Sequence, residues 1–315
     1  MATGVTYQRA VRVLAQHLDC EPTEQAVYQR RLATEPMDYA SAMLRATGAE
    51  LLLVDDGYPP VDVGTNWQEL GRLAGCPSRP VLRIERVAEN APGDAVDGVH
   101  AAVATARERG YAALKTIAAY RGGLDLDAPE APARTDGVDR AHVRDVVLAA
   151  LEANEATGDP LPVQIHTGFG DSDLFLPRAD PGHLKPLVER FQATSFVLLH
   201  CYPFVREAGW LAHVYANVYF DLSLTIPHVS RPAVALAEAL ELAPVSKLLY
   251  ASDAARTPEL YLLAAIWWRD ALAAVLPGEL PAAAAEDAAR MILRENARAL
   301  YRLSDQQPAD LVQNG

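Results

Sequence analysis

The chain has 315 residues, half of them hydrophobic and 22% charged, and its formal net charge is −13. This length accommodates about two average domains or one parallel α/β barrel of roughly 250 residues, and the apolar share excludes global disorder. The acidic balance argues against a nucleic-acid-binding protein, which needs a basic surface, and favours a soluble protein that acts on small molecules.

Seven short apolar runs rich in strand-forming residues alternate with Ala-rich helical patterns. Such alternation predicts a parallel sheet built from βα units. The spacing of the runs leaves room for one long excursion after the third strand. The predicted strands are Glu50–Gly57, Arg79–Val87, Ala112–Tyr120, Pro162–Gly170, Phe196–Phe204, Val218–Ile226 and Lys247–Ala254.

Helical patterns precede, separate and follow the predicted strands. Two helices are expected before the first strand, and one helix that opens on a proline is expected to close the chain. The Pro- and Asp-rich segment Asp125–Gly137 predicts a surface excursion, and Gln306–Gly315 predicts a frayed tail. The main predicted helices are Tyr7–Leu18, Thr23–Ala46, Arg140–Ala156, Arg206–Ala216, Ser230–Leu242 and Pro281–Tyr301.

The strand count places the chain one strand short of a (β/α)₈ barrel, and an open Rossmann-type sheet is the competing architecture. The open sheet would usually carry a Gly-rich phosphate turn after an early strand, and the two prolines of DDGYPPVDVG spoil such a turn. We therefore predict an α/β fold of the (β/α)₈ TIM-barrel type whose first strand is missing from the chain or is unrecognised. The predicted organisation is a helical segment (1–46), a barrel (47–303) and a tail (304–315).

Three polar residues stand at the carboxyl ends of otherwise apolar strands. His166 ends VQIH, His200 ends VLLH and Asp253 ends LLYASD. Catalytic groups converge at this rim of a parallel barrel, and two imidazoles with one carboxylate suit a divalent metal such as zinc. A hydrogen-bonded structural histidine, or an Asp that caps the next helix, is the alternative for each residue alone. Their joint placement favours a metal site.

A second group of candidates surrounds the third predicted strand. Lys115 lies inside that strand and could pair with an acid, hold a substrate anion or be carboxylated between two metals, although its stem could also simply pack. Tyr120 and Arg121 follow at the strand end, where a phenol and a fixed cation could grip a carboxylate. Asp171 follows His166 in HTGFGDSDL and could orient that histidine or contact the substrate.

Two further residues are singled out by their position. Asp221 lies within a predicted strand, so a buried carboxylate there needs a partner, either Lys115 or a ligand histidine. His228 falls just beyond the same strand and is a candidate to line the mouth.

No segment predicts export or membrane insertion. The first residues lack a basic region followed by an apolar stretch, and the most apolar run, Leu260–Val275, is interrupted by Arg269 and Asp270. The three cysteines form no CxxC pair, which argues against a disulfide framework or a cysteine-built zinc site. We therefore expect a cytoplasmic protein.

The motifs HTGFGD, LLHCYPF, LLYASDA and ENARALY, together with LKTIAAYRGGL, resemble the amidohydrolase superfamily. More narrowly, they are similar to the branch that includes the domain fused to glutamine-synthetase-like enzymes, from about Tyr39 to Leu303. The resemblance implies a (β/α)₈ barrel with one or two divalent metals, commonly zinc. It also implies that His166 and His200 are metal ligands and that Asp253 both ligates metal and takes a proton from the attacking water. Lys115 would stand on the strand where some members carry a carboxylated lysine.

One departure from the family pattern concerns its first strand, which ends in His-x-His. No His-x-His occurs in this chain, and its first predicted strand corresponds to the family's second. Either the chain starts downstream of a natural N-terminus or the strand has been lost. We expect low zinc affinity and an open seam between the first and last strands. A second copy of the chain is a candidate to cover that seam, which would make the protein a homo-oligomer.

The leading functional prediction is a metal-dependent amidohydrolase that cleaves a C–N bond of a small polar substrate. Asp253 would shuttle the proton, and Lys115 or Arg121 would hold an anionic group. A decarboxylase or an enzyme similar to uronate isomerases, working at the same rim, is the second hypothesis. A catalytically weak binding or regulatory domain is the third.

Overall fold

The computed structural model describes residues 3–58, 64–126 and 139–303. Within these ranges, seven parallel strands hydrogen-bond to one another in the order in which they occur in the chain. Each strand overlaps one of the seven predicted runs but is shorter, and the predicted run Arg79–Val87 was wrong beyond Arg83, because a helix begins at Ile84. The sequential order is that of a TIM-type barrel, so the predicted fold class is confirmed. The strands are β1 Leu52–Asp55, β2 Ser78–Arg83, β3 Ala113–Thr116, β4 Val163–His166, β5 Phe196–Leu199, β6 Val218–Asp221 and β7 Leu248–Leu249.

The strand register aligns the polar strand ends at one edge of the sheet. Lys115 on β3 pairs with Arg83 on β2, and His166 on β4 pairs with Leu199, the residue before His200. Asp221, the last residue of β6, pairs with Leu249. Because all strands run in the same direction, these side chains share the carboxyl edge, where the βα loops open.

Helices surround the sheet and cover its outer face. The structure splits the predicted helix Thr23–Ala46 in two, because Pro36 begins a new helix and the Glu35 carboxylate accepts hydrogen bonds from the first N–H groups of that helix. The helices are α1 Val5–His17, α2 Glu24–Leu32, α3 Pro36–Ala46, α4 Trp67–Ala74, α5 Ile84–Glu89, α6 Ala95–Ala104, α7 Arg140–Ala156, α8 Lys185–Arg190, α9 Val205–Val214, α10 Thr225–His228, α11 Pro232–Leu240, α12 Pro258–Glu279, α13 Ala282–Arg290 and α14 Asn296–Leu300.

The closing segment, predicted as one helix, contains a π-helical turn at Met291–Glu295 between α13 and α14. The carbonyl of Ile292 in this turn accepts a hydrogen bond from the backbone N–H of Tyr250, just beyond β7. The side-chain amide of Asn296 donates to the carbonyls of Val245 and Leu248. These bonds tie the segment to the last strand.

The sheet does not close within the described residues, because β1 and β7 are its two unpaired edges. Helix α3 contacts both α4 and α12, the helices that follow the two edge strands, and so covers the outside of this seam. Buried Tyr39 and Met43 pack there against Leu262. A cavity of about 1550 Å³ extends from the seam to the mouth of the barrel. A helix cannot supply strand hydrogen bonds, so the expected seam persists on the inner side.

Helix α12 is the helix within the described ranges that is long and apolar enough to cross a membrane, and half of its most apolar 18-residue window is buried inside the protein. Trp267 and Trp268 are fully buried, and the helix packs against α3 and α11. Its apolar character is therefore used for packing. Most of the predicted excursion Asp125–Gly137 and the predicted tail Gln306–Gly315 lie outside the described residues.

Candidate active site

Two buried histidines meet at the carboxyl edge of the sheet. His166 is the last residue of β4 and His200 directly follows β5, and both are at most 5% exposed. Their ring centroids lie 4.4 Å apart with an angle of 61° between the ring planes. Adjacent parallel strands that end at the same level bring these two imidazoles together, as the sequence predicted.

Both imidazoles are held in the neutral form. Burial lowers the pKa of each histidine well below its ordinary value, and the nearby positive charge of Lys115 lowers it further. Each neutral ring therefore keeps one nitrogen lone pair available at physiological pH.

A hydrogen-bonded relay determines which nitrogen of His200 keeps the lone pair. The Ser223 hydroxyl donates its only proton to Asp221 Oδ1 at 2.7 Å, so it can only accept from His200 Nδ1, which lies 2.7 Å away. The backbone N–H of His200 also donates to Asp221 Oδ1 at 2.8 Å. Nδ1 of His200 therefore carries the proton, and its Nε2 presents the lone pair to the cavity.

Asp221 thus has the partner that the sequence required, and this partner is His200. Its carboxylate is buried, and burial raises its pKa to about 6, although its hydrogen bonds from His200 and Ser223 oppose that shift. Ser223 was missed in the sequence, although it follows Asp221 by two positions. An Asp at the end of a strand followed two positions later by Ser is typical of an Asx turn, in which the Ser223 N–H donates to Asp221 Oδ1 at 2.9 Å, and this was the available signal.

We expect Ser223→Ala to lower zinc affinity by roughly 10-fold to 100-fold, the usual cost of removing a hydrogen bond behind a metal-binding histidine. The His200 ring would lose the acceptor that fixes its tautomer, while its backbone bond to Asp221 would remain. Competition titration with a chromophoric chelator measures this affinity. Ser41→Ala on α3 is the matched control. Unchanged zinc affinity in the Ser223 variant would refute the relay.

Asp253 faces the two histidines from the loop after β7. Its Oδ2 lies 4.0 Å from His200 Nε2, and its side chain is 34% exposed. Its backbone adopts a left-handed φ of +50°, an uncommon conformation outside glycine that is enriched at functional sites. The N-cap position of α12 is Thr257, whose side chain makes no capping hydrogen bond, and Asp253 lies four residues before it. The helix-cap explanation for Asp253 is therefore not supported.

The donor chemistry around the mouth fits a divalent metal. His166 Nε2 is buried without a hydrogen-bond partner, which marks a nitrogen available to a ligand. Gly170 leaves the adjacent space open, since a Cβ at this position would lie 3.3 Å from His166 Nε2 and would collide with Tyr120 Oη. Across the described ranges, no three His, Cys, Asp or Glu side chains are already close enough to hold an ion. The metal-ligand roles therefore remain predictions.

Lys115 forms a buried ion pair rather than standing alone. Its Nζ lies 3.1 Å from Asp55 Oδ2, and the Arg83 guanidinium also bonds to the Asp55 carboxylate. All three side chains are 14% exposed or less. The acid partner that the sequence left open is Asp55, which ends β1. A lysine ammonium paired in this way gives no support to the carboxylated form.

The remaining predicted residues line the same cavity. The Tyr120 ring packs against His166 with centroids 4.6 Å apart, and its hydroxyl accepts a hydrogen bond from the backbone N–H of Asp171. Arg121 is 40% exposed and forms an ion pair with Glu89 at 3.2 Å. His228 also borders the cavity, where it contacts the Phe169 ring. Substrate contacts by these residues remain predictions.

The fold and the site define a parallel α/β-barrel protein whose imidazoles and carboxylates gather at the carboxyl ends of its strands. The family model described as Amidohydrolase matches residues 30–303. The chain therefore belongs to the amidohydrolase family, as its motifs predicted.

One curated protein and two solved structures are similar to this chain in sequence or in fold. Protein fluG of Emericella nidulans is 32% identical over 323 aligned positions, which cover 85% of this chain but only 37% of fluG, so the chain spans little more than a third of that relative. A structure named for a metal-dependent hydrolase of Lactobacillus casei has a TM-score of 0.83 and 27% identity and covers 96% of this chain and 85% of its own. A uronate isomerase of Bacillus halodurans has a TM-score of 0.61 and 13% identity, with coverage of 95% and 77%, and shows the fold alone.

Proposed function

We propose that the chain is a metal-dependent hydrolase that cleaves a C–N bond of a small polar substrate in the cytoplasm, with zinc as its metal. The observation that carries this proposal is the pair of buried, neutral imidazoles of His166 and His200, with Nε2 of the second directed toward Asp253. Two nitrogens and one carboxylate oxygen form a donor set typical of catalytic zinc. Membership of the amidohydrolase family supports the same conclusion.

The chemistry that a divalent cation supplies when it is held by His166, His200 and Asp253 is polarisation of the substrate carbonyl and a lowered pKa for water. Asp253 accepts the proton of the attacking water at a carboxylate oxygen and delivers it to the leaving nitrogen. Ser223 and Asp221 hold the His200 ring in the required tautomer.

The cationic and phenolic groups around the mouth bind and orient the substrate in this proposal. The Lys115 ammonium, held by Asp55, lies close enough to lower the pKa of both histidines, and it stabilises negative charge that develops on the substrate oxygen. Tyr120, Arg121 and Asp171 border the space in which the substrate would sit.

A product-resolved screen tests this function. The purified chain, stripped with a chelator and reloaded with zinc, is incubated with small amides and with uronates, and release of amine or ammonia, release of CO₂ and isomerisation are measured separately. We expect amine or ammonia release that is lost on chelation and restored by zinc. Formation of an isomerised uronate or of CO₂ would contradict the hydrolase and indicate an isomerase or a decarboxylase. No turnover together with far less than one metal per chain would identify a binding domain.

A further inference from the structure

One arginine at the mouth, Arg256, has no acidic partner among the residues that the structure describes. Arg83 and Lys115 are paired with Asp55, and Arg121 is paired with Glu89. Arg256, in the loop between β7 and α12, forms no ion pair with any residue that the structure describes, and it borders the same cavity. No carboxylate in the described ranges neutralises its charge, which can therefore attract an anion in this cavity.

The Arg256 guanidinium is held in place by Tyr58, which stands on the opposite side of the seam. Its Cζ lies 4.9 Å from the centre of the Tyr58 ring, and its Nη2 donates a hydrogen bond to the Tyr58 hydroxyl. The guanidinium of Arg83 covers the same ring at 5.5 Å. An arginine that is stacked and hydrogen-bonded loses less side-chain entropy when it binds a ligand than a free one does.

The backbone of this loop is also shaped unusually. Arg256 has a φ of +61°, and Asp253 in the same loop has a φ of +50°. Left-handed conformations cost free energy in residues other than glycine, and they concentrate where a site requires a particular side-chain direction. The loop therefore carries both the candidate proton acceptor, Asp253, and the Arg256 cation, which has no acidic partner within the described ranges.

We propose that Arg256, supported by Tyr58, binds a free carboxylate of the substrate on the seam side of the mouth, so that the substrates are small amides that bear a carboxylate. The identity of the bound molecule as a substrate rests on the proposed hydrolase function. The planar guanidinium matches a carboxylate through two parallel N–H···O bonds. A chain with a net charge of −13 offers no general attraction for anions, so a local unpaired cation selects for them.

Matched probes test this assignment without turnover. Binding of succinamate and glutaramate, which carry one carboxylate and one amide, is compared by calorimetry with binding of the neutral diamides succinamide and glutaramide, using the full chain stripped of metal with a chelator. We expect the wild-type chain to prefer the carboxylate probes. Arg256→Gln should weaken binding of the carboxylate probes by roughly 10-fold to 100-fold, the value of a charge-assisted hydrogen bond, and should not change binding of the diamides.

Three further variants sharpen the comparison. Arg256→Lys should keep only part of the affinity for the carboxylate probes, because lysine keeps the charge but lacks the two parallel N–H donors of the guanidinium. Tyr58→Phe should lower the same affinity a few-fold, because it removes one hydrogen bond to Arg256. Arg206→Gln on α9, an exposed arginine on the outer surface, should leave the preference unchanged. Thermal unfolding of each variant verifies that its fold is intact.

Several results would overturn the proposal. They are equal affinity of the wild-type chain for the two kinds of probe, no detectable binding of the carboxylate probes, or loss of the preference in Arg121→Gln but not in Arg256→Gln. Equally tight binding of inorganic phosphate would overturn the commitment to a carboxylate. Hydrolysis of amides without any carboxylate preference would support the hydrolase and refute the role of Arg256. Binding of the carboxylate probes through Arg256 without any hydrolysis would support the role of Arg256 and refute the hydrolase.

Discussion

Replacing Asp253 with asparagine is expected to lower turnover by roughly 10²-fold to 10⁴-fold, the range for loss of a general acid–base group. Asparagine keeps the shape of the side chain but cannot accept the proton of the attacking water. The free energy of unfolding should change little, because the side chain is 34% exposed and the N-cap position of α12 is Thr257, not Asp253. Steady-state kinetics and urea unfolding of the same preparation measure the two effects.

The metal content of the Asp253→Asn variant separates its two predicted roles. Loss of activity with full zinc occupancy would identify a proton acceptor, whereas loss of both would identify a ligand whose removal empties the site. Asp97→Asn on α6, an exposed acidic residue in the first turn of its helix, is the matched control and should retain activity. An unchanged rate combined with a lower melting temperature would contradict the catalytic role of Asp253.

Asp55→Asn is expected to cost about 3–5 kcal/mol in the free energy of unfolding, the penalty for breaking a buried ion pair. The change would leave the Lys115 and Arg83 cations unpaired at 10% and 14% side-chain exposure. The matched control is Glu152→Gln, which breaks the exposed pair of Glu152 with Arg190 and should cost about 0–1 kcal/mol. Urea denaturation of both variants measures the difference.

The effect of Asp55→Asn should depend on pH in a defined direction. Burial alone would raise the pKa of Asp55, but Lys115 and Arg83 outweigh it and hold the pKa below its ordinary value. A lowered folded-state pKa gives stabilisation that is complete above the unfolded value, about 4, and is lost as the pH falls through the folded-state pKa. The difference in the free energy of unfolding between wild type and variant should therefore be constant near neutral pH and should decrease below about pH 4. A gap that does not narrow, or a loss below 1 kcal/mol at neutral pH, would contradict the buried pair.

The strands were predictable because buried parallel strands carry their signal in local composition. Central strands such as Phe196–Leu199 are buried on both faces and therefore appear as continuous apolar runs. The helix boundary at Pro36 also had a local signal, because proline is favoured at the first helical position. The prediction of one helix over Thr23–Ala46 overlooked that signal. The π-helical turn at Met291–Glu295 had none, because a contact with Tyr250, distant in the chain, accompanies it.

The convergence of His166, His200 and Asp253 followed from the sequence for a similarly general reason. Parallel strands place their carboxyl ends at one edge, so polar residues at those ends gather without any knowledge of the strand order. The hydrogen-bond partners of the residues at this edge could not be predicted from the sequence. Ser223 reaches His200 only because β5 and β6 are neighbours, and Arg256 reaches Tyr58 only because the two edge strands border the same seam.

The sequence by itself determined the class of fold, the edge of the sheet at which the polar strand ends meet and the residues that stand there, since each depends on local patterning and on the single direction of the strands. Only the tertiary structure decided the tautomer of His200, the pairing of Lys115 with Asp55 and the contact of Arg256 with Tyr58 instead of with a described carboxylate. These properties depend on distances of a few ångströms between side chains that are far apart in the chain. Hydrogen bonds and ion pairs weaken steeply over such distances, whereas composition and periodicity carry no information about them.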